Sequence, residues 1–201
     1  KLPLQKVLLL KKKFIKKIMQ TELIKKIKNQ KKIPIIGKGK TNDILDKVSS
    51  LVAQEYKIIE ITLRSDSALE ASIEIKKKYP NLIIGIGSIK SILQLKEVSK
   101  YKFDFYISPG INENMLDFSN SNNLNFIPGI STPSEIMKGI EFNYKILKFF
   151  HAERNGGTST LNFFNEIFRD TLFVPTGGIN IENYNSYLQL KNVLAVGSTS
   201  F

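Results

Sequence analysis

Beyond its first eighteen residues the chain alternates between short apolar runs and amphipathic stretches. Eight runs have strand length: Lys32–Gly37, Tyr56–Leu63, Leu82–Ser88, Phe103–Ser108, Asn125–Gly129, Lys145–Phe150, Leu172–Thr176 and Asn192–Gly197. Most are nearly continuous in Ile, Val, Leu and Phe, the pattern of strands covered on both faces. The gaps carry helical periodicity over Asn42–Gln54, Asp66–Tyr79, Ser91–Ser99, Asn112–Asn120, Pro133–Gly139, Thr158–Phe168 and Ile181–Leu190. Cap residues mark several starts: Thr41-Asn42-Asp43, Ser65 or Asp66, and Ser131-Thr132 ahead of Pro133, a residue favoured in a first turn. Strict alternation of strand and helix predicts an α/β fold, a (β/α)8 TIM barrel, with an open doubly wound sheet as runner-up. The eighth strand is followed only by Ser198-Thr199-Ser200-Phe201, so the expected barrel lacks its final C-terminal helix.

Composition narrows the classes. A hydrophobic content of 42% with 24% charged residues is that of a soluble globular chain. No apolar stretch approaches the roughly 20 residues of a membrane span, so no membrane partner is expected. The absence of cysteine excludes disulfides, thiolate metal sites and a Cys nucleophile, and a single histidine leaves no His-rich metal site. The net charge of +12 invites a nucleic-acid reading, but seven of the lysines fall within residues 1–18, which contain no acid. The remainder carries 12 − 7 = +5, spread without a basic stripe. Residues 1–18 read as a basic tail, disordered or outside the native frame. Met19 opens the patterned part, and residues 19–201 form one domain with no linker. A basic nucleic-acid-binding protein remains the non-enzymatic alternative, unsupported by any RNA-binding signature. No nucleic-acid partner is expected.

The chemistry-bearing residues lie at the C-terminal ends of the predicted strands, where barrels build their sites. In Ile58-Ile59-Glu60-Ile61-Thr62-Leu63-Arg64, alternation puts Glu60, Thr62 and Arg64 on one face, pointing inward. Lys148 stands inside the apolar run Ile146-Leu147-Lys148-Phe149-Phe150. A lysine snorkelling from an edge strand is the plain reading, but apolar residues on both sides argue for a central strand. Burial beside a cation such as Arg64 favours the uncharged amine, a nucleophile for carbonyl carbon. Phe149 should face the helices. Pro175-Thr176-Gly177-Gly178-Ile179 and Val196-Gly197-Ser198 end strands seven and eight, the usual phosphate position of barrels. Gly85-Ile86-Gly87-Ser88 is a shorter glycine motif without dinucleotide spacing. His151 reads as a cap or surface residue, with a proton relay as the alternative. The stretch from Glu153 through Asn155-Gly156-Gly157 reads as the turn into the next helix.

Taken in order, IIEITLR (58–64), GIGS (85–88), ISPG (107–110), IPGISTPSE (127–135), LKFFHAE (147–153), PTGGI (175–179) and the Gly-Ser at 197–198 resemble the 2-keto-3-deoxy-6-phosphogluconate aldolases, which overlap with the 4-hydroxy-2-oxoglutarate aldolases. The resemblance spans roughly residues 20 to 201. It implies a class I aldolase, with Lys148 as Schiff-base lysine and Glu60 as the proton-moving residue. It further assigns Arg64 and Ser88 to the pyruvate carboxylate, Thr176 to stereochemical choice at the new carbon, and Gly177, Gly178 and Ser198 to the phosphate. A phosphorylated 2-keto-3-deoxy sugar acid as substrate, a homotrimer, a cytoplasmic location and no cofactor or metal follow from the same likeness. The sequence departs from the family pattern at Ser88, usually Thr, and at His151, usually Pro.

Overall fold

The computed structural model describes residues 21–201; the tail read at 1–18 lies outside the described residues. Helix α1 (residues 21–30) leads into β1 (Lys32–Ile36). Then follow α2 (Thr41–Ala53), β2 (Ile58–Thr62), α3 (Ala68–Lys78), β3 (Ile83–Gly87), α4 (Ile92–Ser99), β4 (Phe105–Ile107) and α5 (Glu113–Ser121). The second half comprises β5 (Phe126–Ile127), β6 (Gly129–Ile130), α6 (Pro133–Glu141), β7 (Ile146–Phe149), α7 (Gly157–Ile167), β8 (Leu172–Phe173), α8 (Tyr184–Leu188) and β9 (Val196–Ser198).

Every strand pair is parallel. One sheet has the order β5-β4-β3-β2-β1-β9 and the other β6-β7-β8. The predicted fifth run supplies both β5 and β6, parted by Pro128, which has no N–H for a ladder. Its carbonyl still accepts from Lys148 N–H at 2.9 Å. Single parallel bridges Phe173↔Val193 and Thr176↔Gly197 carry pairing from the β8 segment to the β9 segment. The result is an α/β fold with a parallel, curled sheet.

Alternation along the strands separates two apolar layers. Ile59, Ile61, Ile84, Ile86, Leu147 and Phe149 pack against helix residues such as Val48, Ile75, Leu95, Leu161 and Phe164. Ile33, Ile58, Phe105, Ile107, Ile127, Ile146 and Val174 form the second cluster, which Leu23 and Ile27 of α1 join. Ile27 is fully buried there, a contribution of about 1.5–3 kcal/mol for a side chain of its size. The Gln30 amide anchors the end of α1: it donates to Lys32 O and Ile58 O and accepts from Lys57 N–H and Ile58 N–H.

Helix starts follow local chemistry. Thr132 caps α6, Pro133 takes its first turn, and Glu135 Oε2 accepts from both the N–H and the hydroxyl of Ser131 and of Thr132. The predicted starts of α2 and α3 shift by one or two residues: Asp43 accepts from Lys40 N–H at 2.9 Å, and Ser67 precedes α3. Helix α8 is shorter than its periodicity predicts. The Asn180 and Asn183 side chains bond backbone N–H groups of residues 180, 182 and 183, which fixes a turn where the first helical residues were expected.

Candidate active site

Strands β2 and β7 each send one charged side chain into the interior, on the faces opposite Ile59/Ile61 and Leu147/Phe149. Glu60 is 2% exposed and Lys148 5%. The ammonium Nζ lies 3.1 Å from Glu60 Oε1 and 3.4 Å from Oε2, and 5.5 Å from the centre of the Phe150 ring. A buried charge is tolerable when paired and hydrogen-bonded, and each of these groups supplies what the other lacks. The charged neighbour in contact with Lys148 is therefore a carboxylate, where the sequence suggested the Arg64 cation. Proton transfer from ammonium to carboxylate across this contact would leave a neutral amine beside a neutral acid.

Two glycines of the motif at 85–88 make room for this arrangement. A Cβ on Gly87 would fall 1.9 Å from Glu60 Oε1, and one on Gly85 2.2 Å from the Phe105 ring. Their role is close packing of β3 on its neighbours. Phe149 does face the helices, edge-on to Phe164 at 5.9 Å between ring centres.

Arg64 corrects a second expectation. Strand β2 ends at Thr62, so alternation no longer governs Arg64, which is exposed rather than pointing inward. Its Nε donates to Ser88 Oγ at 3.1 Å, and Ser88 follows Gly87 with a positive φ of 61°. The two residues thus come together at the adjoining ends of β2 and β3. Thr62, on the Glu60 face, is occupied structurally: its hydroxyl donates to Ile36 O at 2.9 Å and Gly37 O at 2.7 Å, tying β1 to β2.

Thr176 is 6% exposed and bridges Phe150 on one side and Gly197 on the other. Its Oγ1 would lie 2.7 Å from a Cβ on Gly197. Gly177 and Gly178 follow with φ of +100° and +77°, left-handed conformations that only glycine adopts without strain. Ser198 is buried, its hydroxyl donating to Ile179 O and accepting from Ser200 N–H. The turn after β8 and the end of β9 therefore sit side by side.

His151 is neither cap nor surface residue. It is half-buried, its ring against Gly177 and Gly178, with Nδ1 enclosed and without a hydrogen-bond partner. The turn after β7 takes one 3-10 turn, Glu153–Asn155, where the sequence placed a turn. Sequence reasoning missed that Glu153 and Tyr187 bond each other. Spacing could not have found a contact between residues 34 apart. Tyr187 is almost wholly buried; burial first, then the hydrogen bond and charge of Glu153, push its phenol above the usual range.

The arrangement offers a buried amine with a carboxylate in contact, a guanidinium and hydroxyl at neighbouring strand ends, and a glycine turn with positive φ. A buried amine with a carboxylate in contact suits covalent chemistry on a carbonyl carbon, and a guanidinium with a hydroxyl beside it suits a carboxylate. Comparison with known proteins points the same way. Residues 23–201 match the model of the KDPG and KHG aldolase family. The KHG/KDPG aldolase of Escherichia coli K12 is 39% identical over 167 residues, 83% of this chain and 78% of that protein. Among solved structures, the KDPG aldolase of Legionella pneumophila, with pyruvate captured at low pH as a covalent carbinolamine intermediate, is 34% identical at a TM-score of 0.82; the match covers 85% of this chain and 82% of that one. The 2-keto-3-deoxy-6-phosphogluconate aldolase of Zymomonas mobilis ZM4 with 3-phosphoglycerate is 28% identical at a TM-score of 0.82, covering 88% and 84%.

Proposed function

The chain belongs to the KDPG and KHG aldolase family, and on that premise we propose that it cleaves 2-keto-3-deoxy-6-phosphogluconate to pyruvate and glyceraldehyde 3-phosphate through a Schiff base on Lys148. The observation that carries this reading is the buried contact between Lys148 Nζ and the Glu60 carboxylate at 3.1 Å. Glu60 takes a proton from the ammonium, and the free amine attacks the C2 ketone. The carbinolamine loses water, using the proton on Glu60, and leaves a protonated imine. Glu60 then accepts the C4 hydroxyl proton as the C3–C4 bond breaks, its electrons moving onto the iminium to give an enamine. The aldehyde leaves, Glu60 returns its proton to C3, and hydrolysis frees pyruvate and the amine.

Arg64 and Ser88 hold the pyruvate carboxylate in this scheme, a guanidinium and a hydroxyl already bonded to each other at the adjoining ends of β2 and β3. The backbone N–H groups of Gly177, Gly178 and Ser198 receive the phosphate, and Thr176 lies where the face of the new carbon is chosen. The strands count as eight positions of a closed (β/α)8 barrel, β5 and β6 sharing one position; the bridges from the β8 segment to the β9 segment support that closure. The homotrimer belongs to the same proposal. The apolar side chains Met137 and Ile140 of α6 and Phe163 and Ile167 of α7, exposed in the single chain, are consistent with burial against other copies.

The test is borohydride trapping with pyruvate on folded protein, read by intact mass and peptide mapping. The expected outcome is one reduced pyruvyl adduct on Lys148, absent from Lys148→Ala. A folded wild type without adduct would sink the assignment. A second reading, cleavage of 4-hydroxy-2-oxoglutarate to pyruvate and glyoxylate, is supported by the double name of the Escherichia coli relative. The two share the pyruvate half-site, and the ratio of kcat/KM for the two substrates separates them.

A further inference from the structure

The glycine turn after β8 is braced by the turn that follows the lysine-bearing strand. A Cβ on Gly177 would lie 2.7 Å from His151 Cγ, and one on Gly178 2.5 Å from Glu153 Cγ. Backbone bonds join the same two turns: Ala152 N–H donates to Thr176 O at 2.8 Å and Glu153 N–H to Gly177 O at 3.1 Å. The Asn183 amide also donates to Gly178 O at 3.1 Å. Glu153 thus lies with its stem on Gly178 and its carboxylate elsewhere. Oε1 accepts from the Tyr187 hydroxyl, and this oxygen and that hydroxyl lie 3.5 and 3.0 Å from where a Cβ on Gly157 would be. The carboxylate is held toward the start of α7. Tyr187, buried on α8, has little freedom to follow it elsewhere.

A carboxylate so close to a phosphate subsite poses an electrostatic problem: Glu153 is an exposed residue, yet two anions this close together repel even at the higher effective dielectric of a surface. We propose that Glu153 and Tyr187 are positioning residues for phosphate binding: the phenol holds the carboxylate on the α7 side, so that the Glu153 stem braces the glycine turn while its charge stays turned from the phosphate. This rests on the assignment of Gly177 and Gly178 to the phosphate. Neither residue touches the reacting atoms, so the effect falls on affinity for the phosphorylated end and leaves the pyruvate chemistry alone.

Steady-state kinetics of the full chain on 2-keto-3-deoxy-6-phosphogluconate and on 2-keto-3-deoxygluconate test this. Tyr187→Phe frees the carboxylate and raises KM for the phosphorylated substrate about tenfold, with kcat and the unphosphorylated substrate changed by less than about twofold. Adding Glu153→Gln removes the charge and returns KM close to wild type. A hydroxyl that merely stabilises the fold would shift both substrates together and would not be rescued by glutamine. An unchanged KM in folded Tyr187→Phe, an equal shift for both substrates, or a failed rescue overturns the proposal. Should Tyr187→Phe not fold, Glu153→Gln alone decides: KM for the phosphorylated substrate holds or falls, and a rise overturns it. A wild type that treats the two substrates alike removes the phosphate assignment and this proposal with it. A wild-type preference kept intact by Tyr187→Phe removes this proposal only.

Discussion

Lys148 and Glu60 are costly residues to bury singly and tolerable together. Truncating Lys148 leaves the Glu60 carboxylate uncompensated in an interior position, at a cost of about 3–5 kcal/mol for a broken buried pair. Lys148→Met is therefore expected to lower the urea midpoint sharply, and Lys148→Met with Glu60→Gln to recover most of the loss while remaining inactive. A double variant no more stable than the single one would show that the pair does not stabilise the fold in this way. Much at this scale was legible in the sequence, because strand alternation alone put Glu60 and Lys148 inward and Phe149 outward. It misplaced Arg64, where the strand had already ended, and His151, whose surroundings come from a turn 26 residues later. It also could not tell that Gly85 and Gly87 yield space to Phe105 and Glu60.

At the scale of an element, α6 shows how completely a short motif can specify a helix start. Ser131-Thr132-Pro133-Ser134-Glu135 contains the cap, the first-turn proline and the returning carboxylate. Burial alone would raise the Glu135 carboxyl, but hydrogen bonds from the Ser131 and Thr132 backbone and hydroxyls outweigh it and hold the group below the usual carboxylate value. The sign follows from linkage: a depressed acid contributes stability above its unfolded value, and that contribution is lost as pH falls through the folded value. Glu135→Ala is expected to cost about 0.3–1.5 kcal/mol at pH 7, with the gap to wild type narrowing as pH drops through the acidic range. Urea titrations at pH 7 and at pH 3 measure it, and a gap that stays constant would refute the linkage. Helix α8 marks the opposite limit, since periodicity over 181–190 could not register that two asparagines would fold its predicted start into a turn.

For the molecule as a whole, the proposed homotrimer predicts a sedimentation mass three times the 22.8 kDa of one chain. A mass of one chain at micromolar concentration would remove the trimer from the proposal. The sequence by itself determined the alternation of strand and helix, the parallel character of the strands, and the inward faces of β2 and β7. These rest on periodicity, caps and continuous apolar runs, all of them local quantities. Only the tertiary structure decided that Lys148 meets Glu60 across 88 residues of chain, that Arg64 turns to Ser88, and that Glu153 finds Tyr187 behind the glycine turn. Those partners are set by which strand ends and turns the curled sheet brings together, and no period along one segment carries that information.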